Sequence, residues 1–147
     1  DVINKCMDFQ GATMSGVSVF LQEAAQAVLE KRHEALPQMQ QVLSQNRQIM
    51  QQGLDAIPGV QYYLPDGAYY FFPDLSHYLH HTSITGEYIK DTYDLCRYLR
   101  GCYNLELAPG DKFGAPGYVR MSFAVETPRL QEAMQRLRQG LILLTEN

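Results

Sequence analysis

The sequence has three cysteines, no cluster of basic residues and no long apolar run. Each shortage closes off a class of protein. Cys6, Cys96 and Cys102 are odd in number and scattered, which is not a disulfide framework, and their spacing is not that of a zinc site. Reduced thiols and a cytoplasmic location are the default expectation. The formal net charge is −4, and without a Lys/Arg block non-specific nucleic-acid binding is disfavoured, because it rests on neutralising phosphates. No stretch reaches the roughly 20 apolar residues that span a bilayer. The opening "DVINKCMDFQ" lacks signal-peptide organisation. It also begins without methionine, as expected of a fragment. Missing too are the Gly-x-Ser-x-Gly elbow, the Gly-x-x-x-x-Gly-Lys phosphate loop and the Gly-x-Gly-x-x-Gly turn.

What is present reads as one domain with a real core. Residues 18–30 are Ala-rich with helical apolar spacing. From 33 to 57, Leu36, Met39, Leu43, Met50, Leu54 and Ile57 form one stripe of a long amphipathic helix. Pro37 suits its first turn, and Pro58–Gly59 stop it. Two aromatic runs, "VQYYL" (60–64) and "AYYFF" (68–72), flank the turn chemistry of Pro65-Asp66-Gly67 and predict a hairpin. Residues 73–86 read as a polar loop. A helix is expected over 86–101, with Thr85 as N-cap and Gly101 at its end. A short strand is expected at 105–107, a Gly/Pro loop at 108–117, and a last helix at 127–144, capped by Thr127 with Pro128 at its first position. The order predicts an α+β fold: a small, mostly antiparallel sheet with helices packed on one face.

Within "APGYVRMSFA" (115–124), Val119, Met121 and Phe123 alternate with Tyr118, Arg120 and Ser122, the pattern of a half-buried strand. An arginine in the middle of such a strand poses a choice. Either that face is wet, or the guanidinium is set to meet an anion, since its burial otherwise costs too much. Other candidates are weaker. His77, His80 and His81 share a polar loop without an arrangement suited to metal. Ser15-Gly16 precedes a helix and could offer N–H groups to an anion. Asp111 and Lys112, in "PGDKFG", sit in a Gly-rich loop of the kind where binding groups gather.

Taken together, "LPDGAYYFFPDLS" (64–76), "LELAPGDKFGAPGYVRMSFA" (105–124) and "ETPRLQEAMQRL" (126–137) resemble the C-terminal part of a fold-type I, pyridoxal-phosphate-dependent class I/II aminotransferase of the aspartate aminotransferase superfamily. The resemblance covers essentially the whole chain. It implies that residues 1–30 are the last piece of a large domain and 31–147 the small domain. It further implies that Arg120 binds the substrate α-carboxylate through a two-pronged contact, and that Tyr69 lies near the substrate. Thr13 and Ser15, in "QGATMSG", would reach toward the cofactor phosphate of a partner subunit. The full-length protein would be a homodimer acting on an amino acid, aspartate as first choice, and a 2-oxo acid. None of Lys5, Lys31, Lys90 and Lys112 lies in the Ser-x-x-Lys-like setting that the family uses for the cofactor. The chain alone is therefore expected to be inactive. Two alternatives share this resemblance: a lyase or synthase using the same cofactor, and an aminotransferase-like ligand sensor of a transcription regulator. A plain α+β interaction domain is the reading without it. In a fragment, the apolar residues Phe20, Leu21, Val28 and Leu29 would lack their cover, which predicts self-association through that helix or disorder over residues 1–15.

Overall fold

The computed structural model describes residues 1–14 and 16–145. The chain divides into two compact units, Asp1–Gln40 and Gln41–Asn147. The first contains helices α1 (Val2–Thr13) and α2 (Val19–Glu30) and the start of α3 (Arg32–Asp55). The Asp1 carboxylate accepts from Ile3 N, so residues 2–13 begin as a capped helix. Val2, Ile3, Phe9, Phe20, Val28 and Leu29 are all exposed. Pro37 falls at the sixth position of α3, past the first turn expected for it, where it forgoes the bond to the His33 carbonyl without ending the helix.

The second unit is built around a three-stranded antiparallel sheet of order β1-β3-β2, with β1 Tyr70–Phe71, β2 Ala108–Pro109 and β3 Val119–Ser122. Strand β3 is central. Tyr70 pairs with Ser122 and Phe71 with Met121 on one side, Ala108 with Arg120 and Pro109 with Val119 on the other. The β1–β3 register runs on beyond the strands, from Phe123 N to Tyr69 O (3.0 Å) to Leu75 N on Gly117 O (2.8 Å). Phe71, Val119, Met121 and Phe123 turn to the core, which they share with Met50, Leu54 and Ile57 and with helices α4 (Thr92–Tyr103) and α5 (Thr127–Thr145). Leu95, Leu99, Leu130, Leu137 and Leu141 supply the helix faces. This is the expected α+β arrangement. Among the described residues no helix is long and apolar enough to cross a membrane.

Several local expectations are corrected. The 60–64/68–72 hairpin does not form. Gln61 of the first run bridges Asp74, beyond the end of the second, the two runs touch through the Tyr62 and Phe71 rings (5.4 Å), and Ala68 at φ 59° breaks the extended chain. Arg47 meanwhile ties down the turn by donating from Nε and Nη2 to the Pro65 carbonyl (3.0 and 2.7 Å). The strand expected at 105–107 begins later, because Asn104 adopts the left-handed conformation and Leu105 N still bonds Leu99 O (3.2 Å), closing the helix end. Helix α4 starts at the Asp91 cap, not at Thr85. Residues 80–89 are instead spent on a bridged loop, with His80 N on Ile89 O (2.7 Å) and Ile89 N on His81 O (2.9 Å). In α3, Leu36 and Met39 are exposed, and burial along the stripe is confined to Met50, Leu54 and Ile57 with Leu43 packed alongside. At the start of α5, Leu130 N bonds the Glu126 carbonyl (3.0 Å), so Glu126 holds the cap position. The Thr127 hydroxyl donates to Asn46 (2.8 Å).

The loop between β2 and β3 contains a 3₁₀ turn, Gly110–Phe113. It is pinned at both ends: Gly110 N donates to Tyr118 O (2.7 Å), and Gly117 N donates to the buried Thr92 hydroxyl (2.9 Å). A Cβ on Gly110 would collide with the Ala115 and Tyr118 carbonyl oxygens, both backbone atoms that cannot step aside. Gly110→Ala is therefore expected to destabilise the chain by about 2–4 kcal/mol. Urea denaturation of the chain checks this, and a midpoint unchanged from wild type would contradict it.

Candidate functional site

Arg120 lies on the face of the sheet that turns away from the core, as the alternation of β3 requires. Tyr70 is opposite Ser122, which makes it the diagonal neighbour of Arg120 on the same face, within reach of a long side chain. Ala108, directly opposite Arg120, is small and leaves space above the strand. The result is a cavity of about 300 Å³ lined by Tyr70, Glu106, Pro109, Lys112, Arg120 and Ser122, among others.

The guanidinium carbon of Arg120 sits over two aromatic rings, 4.7 Å from the centroid of Tyr70 and 4.6 Å from that of Phe113. Phe72 braces Phe113 edge-on (6.1 Å) and stacks on Tyr118 (5.3 Å). Among the described residues no carboxylate pairs with Arg120. Its surroundings therefore stabilise the charge through ring faces while leaving the planar fork of N–H donors unclaimed. Such a fork matches a carboxylate bidentately. The Tyr70 phenol is raised above its ordinary value, first by the neighbouring Tyr69 hydroxyl and then by burial, with the Arg120 charge working the other way.

A larger groove of about 720 Å³ runs beside α5, lined by Met50, Leu105, Val125, Arg129 and Leu130 among others. Its guanidinium, Arg129, is already engaged by Glu126 (3.4 Å). Size and chemistry thus point to different places, and the unclaimed fork of Arg120 is the better guide to a ligand.

Of the residues singled out from sequence, Arg120 and Tyr69 are drawn together indirectly. The Tyr69 ring lies 4.4 Å from that of Tyr70, on which Arg120 rests. Thr13 is in the first unit, and its hydroxyl donates to the Phe9 carbonyl (2.7 Å). Ser15 lies outside the described residues. Lys112 is exposed on the cavity wall. Asp111 has one carboxylate oxygen buried without a hydrogen-bond partner. His80 meets Tyr88 through Nδ1 (3.2 Å), and His77 packs edge-on against Tyr78. Tyr70 and Phe113 were missed by sequence reasoning. The strand register would have revealed Tyr70; no local signal marks Phe113.

Behind the same loop, burial pushes the Cys96 thiol up to about 11, with the Asp111 carboxylate adding to the effect and Lys112 opposing it. Cys6 and Cys102 are exposed. At pH 8 only about one part in 1,000 of a thiol with such a value is thiolate, the reactive form. A thiol reagent at pH 8 is expected to titrate two cysteines of the native chain promptly and the third only in denaturant. Prompt reaction of all three would contradict this.

The family model described as aminotransferase class I and II matches residues 1–137. An aspartate aminotransferase of Pinus pinaster is 31% identical over 145 residues, which cover 97% of this chain and 30% of that protein. A bifunctional aspartate aminotransferase and glutamate/aspartate-prephenate aminotransferase of Petunia hybrida is 32% identical over 146 residues, again 97% and 30%. Among solved structures, a PLP-dependent aminotransferase from Streptococcus suis superposes with a TM-score of 0.76 at 28% identity, covering 94% of this chain and 34% of that one. The chain thus spans about a third of the length of these relatives. Matched along nearly all of its own length, and folded as its relatives are, the chain belongs to the class I and II aminotransferase family.

Proposed function

We propose that this chain is the substrate-gripping C-terminal part of a pyridoxal-phosphate-dependent aminotransferase, with Arg120 holding the substrate α-carboxylate. The observation that carries the reading is the unclaimed guanidinium of Arg120, seated over two rings at the wall of a cavity. The substrates we assign are an aspartate-like amino acid and a 2-oxo acid, in keeping with the activities named for the pine and petunia relatives. The domain division we assign is 1–30 as the end of the large domain and 31–147 as the small domain. The roles we assign are contact with the substrate for Tyr69, and contact with the cofactor phosphate of the partner in a homodimer for Thr13 and Ser15. Exposed free thiols at Cys6 and Cys102 suit a reducing, cytoplasmic setting.

The residues around Arg120 do not make up a site for a whole pyridoxal phosphate. That group must be anchored at its phosphate, its ring nitrogen and its aldehyde. The cavity wall carries Lys112, Arg120 and Glu106 as its charged groups. With Arg120 committed to substrate, Lys112 alone would have to serve both phosphate and aldehyde. This chain's own contribution is to bind one end of the substrate, orient it and cover it with rings that exclude water. The cofactor, when bound by the full-length protein, supplies the amino-group chemistry.

The test uses the full-length protein, mixed with pyridoxal phosphate and followed by absorbance as aspartate and other amino acids are added. A cofactor band that shifts with an amino acid, with turnover to the 2-oxo acid, is the expected result. A band without turnover would point to a ligand sensor, and no band would overturn the reading and return Arg120 to a solvated strand residue.

A further inference from the structure

We propose that Tyr70 and Phe113 are positioning residues for Arg120, holding its guanidinium so that a carboxylate meets its edge in one orientation. The inference rests on the reading of Arg120 as the carboxylate grip. Arginine carries a long, flexible stem, and a free fork would have to be ordered each time a ligand arrived. Here the guanidinium carbon is 4.7 Å from one ring centroid and 4.6 Å from another. Aromatic faces attract a cation without using up its N–H donors. A protein carboxylate in the same place would also fix the side chain, but it would consume the donors that the ligand needs. Rings are thus the partners that orient the fork and leave it available.

The two rings come from different parts of the chain, and each is itself held. Tyr70 is in β1, paired with the strand that carries Arg120. Phe113 ends the 3₁₀ turn of the β2–β3 loop and is braced by Phe72, which stacks in turn on Tyr118. The loop is pinned by Gly110 N on Tyr118 O and by Gly117 N on Thr92. The orientation of the fork is therefore tied both to the sheet and to the loop, so that loss of either ring loosens the grip while the charge stays.

The experiment is calorimetric titration of the full-length, pyridoxal-phosphate-loaded protein with succinate, a dicarboxylate without an amino group that cannot turn over. Tyr70→Leu is expected to weaken succinate binding about 5–10-fold and Phe113→Leu about threefold, whereas Tyr70→Phe, which keeps the ring, stays within about twofold of wild type. Arg120→Leu is expected to weaken it by about 50-fold or more. With aspartate as substrate, Tyr70→Leu raises KM more than it lowers kcat, a split that a general loss of structure would not give. Should Tyr70→Leu fail to fold, Phe113→Leu decides, since that ring is 49% exposed on a loop. If both leucine variants bind succinate within about twofold of wild type while Arg120→Leu does not, the positioning role is overturned and the grip stands. If wild type does not bind succinate, or Arg120→Leu binds it normally, the grip itself falls.

Discussion

Under the proposed function, Arg120→Lys in the full-length protein is expected to lower kcat/KM for aspartate about 100-fold, or about 2.7 kcal/mol of transition-state binding. The charge survives this substitution, so a role in long-range attraction alone would leave the rate nearly intact. What is lost is the flat fork. An ammonium offers three rotating donors from a point and cannot present two parallel bonds to one carboxylate. It is also more strongly hydrated, and so gains less from resting over Tyr70 and Phe113. Steady-state kinetics of the purified variant check the figure, with the cofactor band as a control for loading. Under the proposed reading the carboxylate is gripped both before and during reaction, so much of the loss is expected in KM. Misalignment of the substrate adds a fall in kcat. A variant within about threefold of wild type would exclude a bidentate contact and leave Arg120 as a solvated strand residue.

The second large effect concerns Asn46, which is fully buried. Its amide nitrogen donates to the carbonyls of Phe123 (2.9 Å) and Val125 (2.8 Å), and its amide oxygen accepts from the Thr127 hydroxyl (2.8 Å). One side chain of α3 thus satisfies the irregular turn where β3 passes into α5. Asn46→Ala leaves the buried Phe123 carbonyl and the part-buried Val125 carbonyl without their donor, at about 1–3 kcal/mol for an acceptor that water cannot reach. A total loss of about 3–4 kcal/mol is expected from urea denaturation of the chain. Thr127→Val, which removes one partner and keeps the shape, should cost only about 1 kcal/mol. Asn46→Asp should be worse than alanine at neutral pH, because a carboxylate would face two carbonyl oxygens. Burial and those oxygens disfavour the charged form in the folded state, so its folded pKa lies above the unfolded value. Its stability should therefore recover as pH falls through that folded value, where the protonated carboxyl again donates. An Asn46→Ala chain as stable as wild type would show that the turn has another way to satisfy its carbonyls.

Where local signals were strong, the sequence and the structure agree. Arg120 was legible because strand alternation depends only on the chain's own period of two, and Val119, Met121 and Phe123 occupy the buried positions as expected. Helix α5 was legible for a similar reason: Leu130, Met134, Leu137 and Leu141 form a stripe set by local geometry, and all four are buried. The hairpin at 60–72 was not legible. Its turn residues and aromatic runs were locally sound, but a strand can pair with any partner of suitable pattern, and β1 took the distant β3 in place of its neighbour. The ends of α4 depended likewise on contacts made by residues 80–89 and by Leu105, which lie beyond the helix.

The same division runs through the site. That a guanidinium stands on the open face of a half-buried strand follows from residues 115–124 alone, because hydrophobic alternation and fixed charge are properties of a short segment. Tertiary structure decided what surrounds it. The β1–β3 register put Tyr70 diagonal to Arg120 and left Tyr69 behind it, and a one-residue slip would have exchanged them. The pinned loop brought Phe113 over the same charge from seven positions earlier in the chain. Such partners are chosen by pairing and packing across sequence separations of up to about fifty residues here, and no local pattern encodes a choice made against so many competing alignments.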